Sequence, residues 1–234
     1  MTTLPASLVF CALDTDDLSI AQNWAKEIGP VTGALKLGME FYNRFGPAGV
    51  EAVREACPEA AMFIDLKFHD IPNTVAAAVR TVSSNLSPAY LNVHAAGGRT
   101  MMQAAKDACS AGTKLLAVTI LTSLNDADLA EVGYQDGTAG QVKRMALLTR
   151  DSGLDGVVCS AHDIAALRAS CGADFELMVP GIRPAGADAG DQKRIMTPVQ
   201  AITQGATHIV VGRPITQSAN PAQAAADIVE SLAA

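Results

Sequence analysis

The chain alternates short apolar runs with longer stretches in which apolar residues recur at helical spacing. Stretches such as 17–29, 72–86, 98–112 and 221–234 have the spacing of amphipathic helices. Successive apolar runs begin roughly 20 to 40 residues apart, which is about the length of one βα unit. Eight runs rich in Val, Ile and Leu are predicted to be strands, at residues 7–14, 33–38, 61–67, 89–95, 114–121, 155–161, 175–181 and 207–213.

Eight βα units in 234 residues predict an α/β fold, a (β/α)8 TIM barrel that forms a single domain over residues 1–234. An open, doubly wound parallel sheet would show the same alternation. Two features favour the barrel: no G-x-G-x-x-G follows the first strand, and polar residues recur where strands end. The segment 183–198, rich in Gly, Pro and polar residues, is interpreted as a mobile loop over a site, with a plain surface insertion as the alternative.

Composition narrows the class of protein further. Hydrophobic residues make up 49% of the chain and aromatic residues only 4%, which is typical of helices packed on a parallel sheet. The net charge of −7 argues against nucleic-acid binding, which needs a basic face. Five scattered cysteines without a C-x-x-C pair indicate reduced thiols. The N-terminus lacks the basic region of a signal peptide and no apolar run could span a bilayer, so we expect a soluble, cytoplasmic protein without a membrane partner.

Polar side chains follow the predicted strands at the end where a barrel keeps its catalytic groups. A random surface would also scatter charges over helix faces, as this chain does, so position alone is only suggestive. The candidates in chain order are Asp14, Lys36, Asp65, Lys67, Asn92, His94, Thr122, Ser123, Ser160, Arg183 and Arg213.

The most informative group of these is Lys36 with Asp65, Lys67 and Asp70. Residues two apart on a strand project to the same side, so Asp65 and Lys67 should face the barrel mouth while Leu66 points away. An opposite-charge pair at about 4 Å is worth roughly 4 kcal/mol at an effective dielectric near 20. A lysine held between carboxylates therefore has a raised pKa and stays protonated, which suits a proton donor better than a Schiff-base nucleophile. The alternative is a structural ion-pair network that closes the barrel.

The loops after the seventh and eighth strands, "VPGIRP" and "IVVGRPIT", indicate a phosphate site. Gly181 and Gly212 allow close backbone approach, and Arg213 could hold a phosphate with two hydrogen bonds. His69 is interpreted as a polar packing residue, and His94 either lines the mouth or is a satisfied buried histidine. No His, Cys and carboxylate spacing indicates a metal site.

Several of these segments together resemble one enzyme family. The stretch "FIDLKFHDIPNT", Phe63 to Thr74, is similar to the D-x-K-x-x-D-I-P-N-T signature of the orotidine 5′-monophosphate decarboxylases. The resemblance extends in the family's order over nearly the whole chain, and it is to the bacterial form with a single function. The other matching segments are "ALD" at Asp14, "LKLG" at Lys36, "TILTS" at Thr122, "PGIRP…GDQ" from Pro180 to Gln192 and "VVGRPIT" around Arg213.

The resemblance implies an activity and a role for each matching residue. The reaction would be decarboxylation of orotidine 5′-monophosphate to UMP, the last step of de novo pyrimidine synthesis, without cofactor or metal. Asp14 and Lys36 would bind the ribose hydroxyls, Asp65 would lie against the substrate carboxylate, and Lys67 would protonate C6 of the pyrimidine. Thr122 and Ser123 would meet the pyrimidine ring. Pro180, Arg183, Gln192, Gly212 and Arg213 would complete the substrate site, mainly around the phosphate, with the loop from Arg183 closing over it.

The resemblance also implies a homodimer. Asp70, Ile71 and Thr74 would reach into the active site of the second subunit. Two other functions stay open at this stage: a metal-dependent sugar-phosphate decarboxylase or aldolase on the same barrel, and a barrel without catalytic activity that serves as a scaffold. The first would need additional acidic metal ligands near strands two and three, where this sequence has Lys36.

Overall fold

The structure, a computed structural model that describes residues 8–184 and 196–233, is a closed barrel of eight parallel strands in chain order. The first strand also pairs with the last, which closes the barrel and contradicts the open-sheet alternative. The strands are β1 (Val9–Ala12), β2 (Ala34–Gly38), β3 (Ala61–Phe68), β4 (Tyr90–His94), β5 (Lys114–Val118), β6 (Gly156–Val158), β7 (Glu176–Val179) and β8 (His208–Val211).

Helices follow the strands and cover the outside of the barrel. They are α1 (Leu18–Thr32), α2 (Met39–Ala56), α3 (Pro72–Leu86), α4 (Gly98–Ala108), α5 (Asp126–Glu131), α6 (Gly137–Asp151), α7 (Ile164–Cys171), α8 (Pro198–Thr203), α9 (Arg213–Thr216) and α10 (Pro221–Ser231). All eight predicted strands are confirmed, and β5 and β6 end earlier than predicted because short turns and a 3₁₀ segment follow them. No helix in the two described ranges is long and apolar enough to cross a membrane.

Helix ends follow recognisable local signals. Asp17 caps α1 by accepting hydrogen bonds from the backbone N–H groups of Ser19 and Ile20, and Gly33 ends that helix with φ of 67°. Pro72 occupies the first turn of α3, where its missing N–H costs nothing. These signals fix where each helix begins and therefore how long the loop above the preceding strand is.

The apolar core has two layers. The larger layer lies between the strands and the helices. The smaller one fills the barrel interior, where the rings of Phe10, Phe63 and Tyr90 pack edge to face with centroids 5.5 to 6.3 Å apart. This plug of aromatic rings closes the barrel below the strand ends, so any ligand at the carboxyl end meets a solid floor. The interior layer consists of Phe10, Ala12, Ala34, Phe63, Tyr90, Leu116, Met178 and Val210.

The opposite end of the barrel carries a charge cluster around the buried Glu176. Glu176 contacts Lys114 and lies 3.4 Å from Nδ1 of His208, and all three are the first residues of their strands. Burial by itself raises the pKa of Glu176, but the neighbouring Lys114 and His208 outweigh burial and lower this pKa to about 2. In a TIM barrel this amino-terminal face serves stability rather than catalysis.

Candidate active site

Two adjoining pockets open at the carboxyl ends of the strands, and Lys36, Asp65, Pro180 and Val210 line both. The first has a volume of about 200 Å³ and is mostly apolar. The second has a volume of about 470 Å³ and is lined by more polar groups, including two arginines. Together they form a cleft that offers an apolar slot at one end, cations at the other and charged groups at their junction. Ligand sites typically have this combination of apolar walls with a few convergent polar groups.

A chain of four alternating charges lies at that junction. The Lys36 ammonium is 3.2 Å from Oδ1 of Asp14 and 3.6 Å from Oδ2 of Asp65. The Lys67 ammonium is 2.7 Å from Oδ1 of Asp65. Asp65 is thus held between two lysines, and Lys36 between two carboxylates. Lys36, Asp65 and Lys67 lie together as predicted, whereas Asp70, predicted in the same group, forms no ion pair with them within the described residues of one chain.

The barrel register explains why these side chains meet. Lys36 and Asp65 lie on the paired strands β2 and β3, where Gly38 is the neighbour of Asp65. The backbone N–H of Leu13 donates to the carbonyl of Lys36 at 3.0 Å, which brings Asp14 beside the same lysine. Neighbouring parallel strands end at one edge, so side chains at their ends converge.

Asp65 and Lys67 converge for a reason that strand alternation alone does not supply. Between Ile64, which pairs with Leu91, and Phe68, which pairs with Val93, the register of β3 shifts against β4. Lys67 within this bulge has φ of 53°, in the left-handed region. For a residue other than glycine this conformation costs roughly 1 to 2 kcal/mol. Such strain is often found at functional sites. Leu66 points into the outer core, as predicted.

Asn92 on β4 fits into this bulge and touches both catalytic candidates. Its Nδ2 donates to Oδ1 of Asp65 at 2.7 Å, and its Oδ1 accepts from the backbone N–H of Lys67 at 2.8 Å. The residue is fully buried. The sequence placed Asn92 near a strand end but gave it no role. Its signal was an amide in an otherwise apolar run, "AYLNVHA", where a buried polar group needs partners.

Burial and charge act in opposite directions on the central groups. Burial alone would lower the pKa of Lys36, but the carboxylates of Asp65 and Asp14 outweigh it and hold that pKa above its ordinary value. Burial would raise the pKa of Asp65, yet Lys36, Lys67 and Asn92 hold it below the usual range. Both groups are therefore charged at neutral pH.

Gly38 provides space for the network, and sequence reasoning missed it. Its φ of −94° is accessible to any residue, so the backbone does not require glycine there. A Cβ at this position would lie 3.1 Å from the Lys36 ammonium and 3.2 Å from Oδ1 of Asp14. A methyl group at position 38 would press on the ion pair that these two atoms form.

The polar end of the cleft brings together residues of the loops after β7 and β8. Arg183, Gly212 and Arg213 line the second pocket together with Asp14 and Gly181. Arg183 is buried and donates to the carbonyl of Ile182 at 2.9 Å, whereas Arg213 is exposed. These positions agree with the expectation of a phosphate site, whose ligand remains a prediction.

The two glycines at the polar end of the cleft differ in whether their backbone conformation favours glycine. Gly181 has φ of 78°, so its backbone conformation favours glycine. Gly212 has φ of −111°, and a Cβ there would meet protein atoms only at ordinary contact distances, the nearest being Cβ of Ala12 at 3.5 Å. Gly212 lines the second pocket, so a side chain at this position would occupy part of the space that the pocket offers to a ligand.

The apolar slot is formed by the ends of β5 and β6 and by the loop after β5. Thr122 lines it, and Pro180 closes it towards the arginines. Ser123 is exposed and does not line either pocket among the described residues. Gln192 lies outside the described residues, as do residues 185–195 of the predicted loop. The described ends of that loop are joined, because the backbone N–H of Arg183 donates to the carbonyl of Met196 at 3.0 Å.

The residues expected to serve a second subunit lie on the loop and first turn after β3. Asp70, Ile71 and Thr74 are exposed, and Ile71 is 67% accessible. Oδ1 of Asp70 accepts from the backbone N–H of Ile71 at 2.6 Å, and within one chain the described residues give Asp70 no ion pair with the lysines. Its proposed role across a dimer stays a prediction.

Two histidines lie beside the network. His69 is exposed and its ring lies 5.4 Å from that of His94, at the end of β4. The pKa of His94 is lowered, first by burial and then by the neighbouring His69 and Lys67. His94 is therefore neutral at pH 7. Among the described residues no group of three or more His, Cys, Asp or Glu side chains is arranged to hold a metal ion.

Comparison with known proteins adds independent information about this cleft. The protein from Rhodospirillum rubrum named orotidine 5′-phosphate decarboxylase is 49% identical over 96% of this chain and 94% of its own. A protein of the same name from Thermobifida fusca is 47% identical over 97% of this chain and 96% of its own. The crystal structure of orotidine 5′-phosphate decarboxylase from Lactobacillus acidophilus superposes with a TM-score of 0.82 at 36% identity, covering 97% of this chain and 99% of that one.

The sequence profile of one family matches residues 7–228, which include every described residue of the cleft. Its description is "Orotidine 5'-phosphate decarboxylase / HUMPS family". The expected fold and the expected resemblance are therefore both confirmed. The chain belongs to the orotidine 5′-phosphate decarboxylase / HUMPS family.

Proposed function

We propose that this protein converts orotidine 5′-monophosphate to UMP and CO₂, with Lys67 as the proton donor. The observation that carries the proposal is the Lys67 ammonium, 2.7 Å from Asp65, at the junction between an apolar slot and a pocket with two arginines. The apolar slot suits a planar pyrimidine ring. The charged groups at the junction suit the ribose and the carboxylate of the substrate, and the two arginines suit its phosphate. Relatives that are 46 to 49% identical carry the name of this activity.

The chemistry explains why a cation is needed at this place. When the C6–carboxylate bond breaks, CO₂ leaves and the electron pair stays on C6 in an sp² orbital that the ring cannot delocalise. No organic electron sink takes part in the proposed reaction. A preorganised ammonium group stabilises the developing negative charge and then gives its proton to C6. Lys67 recovers its proton from solvent when the product leaves.

Each remaining candidate has a part in the proposal. Asp14 and Lys36 bind the ribose hydroxyls, and Asp65 lies against the substrate carboxylate while it holds Lys67. Asp65 would repel the bound carboxylate more than the transition state, which loses that charge. The side chains proposed for the ring and the phosphate are Thr122, Ser123, Pro180, Arg183, Gln192, Gly212 and Arg213. Phosphate contacts lie far from C6, so their binding energy aligns the substrate.

We further propose a cytoplasmic homodimer. The proposal is supported by the joint exposure of Asp70, Ile71 and Thr74 on the loop and first turn after β3, with Ile71 67% accessible. In the proposed dimer Asp70 approaches the Lys67 of the partner subunit and completes the alternating charges.

The second candidate function is the metal-dependent decarboxylation or aldol reaction of a sugar phosphate that the sequence left open. The position of Lys36 favours the decarboxylase. Its ammonium lies between the carboxylates of Asp14 and Asp65, where a divalent cation would otherwise find its ligands.

The purified protein should deplete orotidine 5′-monophosphate, followed as loss of the substrate's absorbance, at an equal rate with and without EDTA. The Lys67→Ala variant should be inactive, while Lys106→Ala, which removes an ion-paired lysine outside the cleft, should keep the native rate. Activity that disappears in EDTA and returns with a divalent metal would support the second candidate. A native protein that leaves the nucleotide unchanged would refute the proposal.

A further inference from the structure

The bulge between β3 and β4 leaves one residue of β4 opposite three of β3. Ile64 pairs with Leu91 and Phe68 pairs with Val93, so Asn92 alone faces the stretch Asp65 to Lys67. A regular ladder would give the backbone N–H of Lys67 a carbonyl partner. Here that N–H donates to Oδ1 of Asn92 at 2.8 Å. The Asn92 side chain thus replaces the missing ladder bond of a lysine in the left-handed conformation.

The other end of the same amide determines how Asp65 is oriented. Nδ2 of Asn92 and Nζ of Lys67 both reach Oδ1 of Asp65 at 2.7 Å, while Lys36 contacts Oδ2. The two neighbours fix the orientation of the amide, because the reversed amide would set donor against donor and acceptor against acceptor. One fully buried side chain therefore holds both the backbone of Lys67 and the carboxylate that directs its ammonium.

We propose that Asn92 is a positioning residue of the reaction, which sets the direction of the Lys67 ammonium. The inference rests on the proposed function for its kinetic consequences only. Asparagine is the residue that combines an acceptor for the Lys67 N–H with a donor to a carboxylate at this reach. An aspartate would keep the acceptor but place a second negative charge beside Asp65, and a leucine of similar shape would lose both bonds.

The variants Asn92→Leu and Asn92→Asp separate the two halves of this role. We expect Asn92→Leu to lower kcat for orotidine 5′-monophosphate about 100-fold or more while KM changes less than about threefold, since a misplaced donor harms the transition state more than binding. Val93→Ala is the matched control, because it removes a buried side chain of the same strand that packs in the outer core. It should lose stability with little change in kcat. Equal losses of kcat in Asn92→Leu and Val93→Ala would reduce Asn92 to a structural residue and overturn the proposal.

The pH profile of Asn92→Asp gives a readout that packing alone would not move. Two adjacent carboxylates raise the pKa of one of them, so the introduced group should take up a proton at mildly acidic pH and donate to Asp65 again. We expect the kcat of Asn92→Asp, relative to native protein, to rise as the pH falls from 8 to 5. A ratio that stays flat over this range would contradict the proposed donor role.

A crystal structure of Asn92→Leu tests the geometry even if the native protein proves inactive on this nucleotide. The proposal predicts that φ of residue 67 leaves the left-handed region and that Nζ of Lys67 moves out of hydrogen-bond reach of Asp65. If both stay as they are in the native chain, Asn92 does not position the lysine. If only the proposed function is wrong, the native protein should be inactive on this nucleotide while the Asn92→Leu crystal structure still shows both displacements.

Discussion

Lys67 has a strained backbone conformation, and its ammonium group forms an ion pair with Asp65. Its left-handed φ costs roughly 1 to 2 kcal/mol. The bond from its N–H to Asn92 returns about 1 kcal/mol net, and its ammonium bonds to a buried carboxylate. The chain thus places a flexible cation in one defined direction. Preorganisation of this kind lets a group stabilise a developing charge without first reorienting.

Replacement of Lys67 by alanine should separate chemistry from binding. Asp65 would keep Lys36 and Asn92 as partners, so the fold should survive. We expect kcat to fall at least about 1,000-fold, since both the proton donor and the electrostatic stabilisation are lost, while UMP binding changes little. Rapid-quench turnover and calorimetric titration with UMP measure the two quantities. Near-native turnover would mean that another group supplies the proton.

Replacement of Gly38 by alanine should have a milder effect than replacement of Lys67, and the effect should be on substrate binding. In Gly38→Ala the new methyl group would lie 3.1 to 3.2 Å from atoms of Lys36 and Asp14, closer than ordinary contacts, and the exposed Asp14 should give way. We expect KM to rise about three- to tenfold with little change in melting temperature. Because the strain passes through Asp14, the effect should shrink in an Asp14→Ala background, and a fully additive double mutant would contradict this explanation.

Strand β3 shows how far an element can be predicted from its residues. The run "AMFIDLKF" predicted a buried strand that ends in charges, and the alternation placed Asp65 and Lys67 on one side with Leu66 on the other. The structure confirms this pairing, yet the bulge that brings it about has no sequence signal, since such positions usually carry glycine rather than lysine. The bulge depends on contacts with β4, and a single strand's sequence does not contain them.

The loops likewise contain some features that the sequence predicts and others that it does not. "PNT" predicted the first turn of α3 correctly, because proline fixes the backbone there without loss of a hydrogen bond. The glycines of the β7 and β8 loops both predicted close approach, but only Gly181 needs its backbone freedom. The surroundings of Gly212 depend on the pairing of β8 with β1, because the atom nearest to a Cβ at this position belongs to Ala12, and this pairing is a property of the whole barrel.

The charge cluster around Glu176, at the amino-terminal end of the barrel, predicts a pH dependence of stability. The pKa of Glu176 falls from an ordinary value of 4.5 to about 2 in the folded chain. A lowered pKa adds stability that is fully present above pH 4.5 and is lost as the pH falls towards 2. We expect Glu176→Gln to cost about 2 to 3 kcal/mol of unfolding free energy at pH 7, and this difference should shrink steadily below pH 4.5.

Denaturant unfolding at pH 7, 5, 4 and 3 measures that difference. Glu59→Gln, which removes an exposed carboxylate, is the control and should be nearly neutral at each pH. If the difference in unfolding free energy between native protein and Glu176→Gln stays constant down to pH 3, the ionised form of Glu176 does not stabilise the folded chain.

At the scale of the molecule, the barrel separates stability from chemistry. Its amino-terminal end carries Glu176 with Lys114 and His208, and its carboxyl-terminal end carries the cleft. The plug of aromatic rings lies between the two ends. The proposed dimer would add a third component, the loop after β3, to a cleft on another chain. Sequence periodicity predicted the barrel well, because eight repeats of one unit leave few other closures.

Mixing of two inactive variants tests the shared site. Lys67→Ala and Asp70→Ala should each be nearly inactive alone, but a mixed dimer contains one cleft with both native residues. Random exchange should restore up to about a quarter of native activity per site, since half of the dimers are mixed and each has one complete cleft. Absence of recovery despite subunit exchange verified by mass spectrometry would place Asp70 in its own chain's site or outside any site.

The position of the Lys67 nitrogen relative to the nucleotide is the central claim of this account. A crystal structure of the protein with UMP measures it directly. We predict Nζ of Lys67 at about 3 to 3.5 Å from C6 of the pyrimidine, the distance at which a proton can pass between them. A well-ordered UMP whose C6 lies beyond about 5 Å from that nitrogen, with another donor nearer, would contradict it.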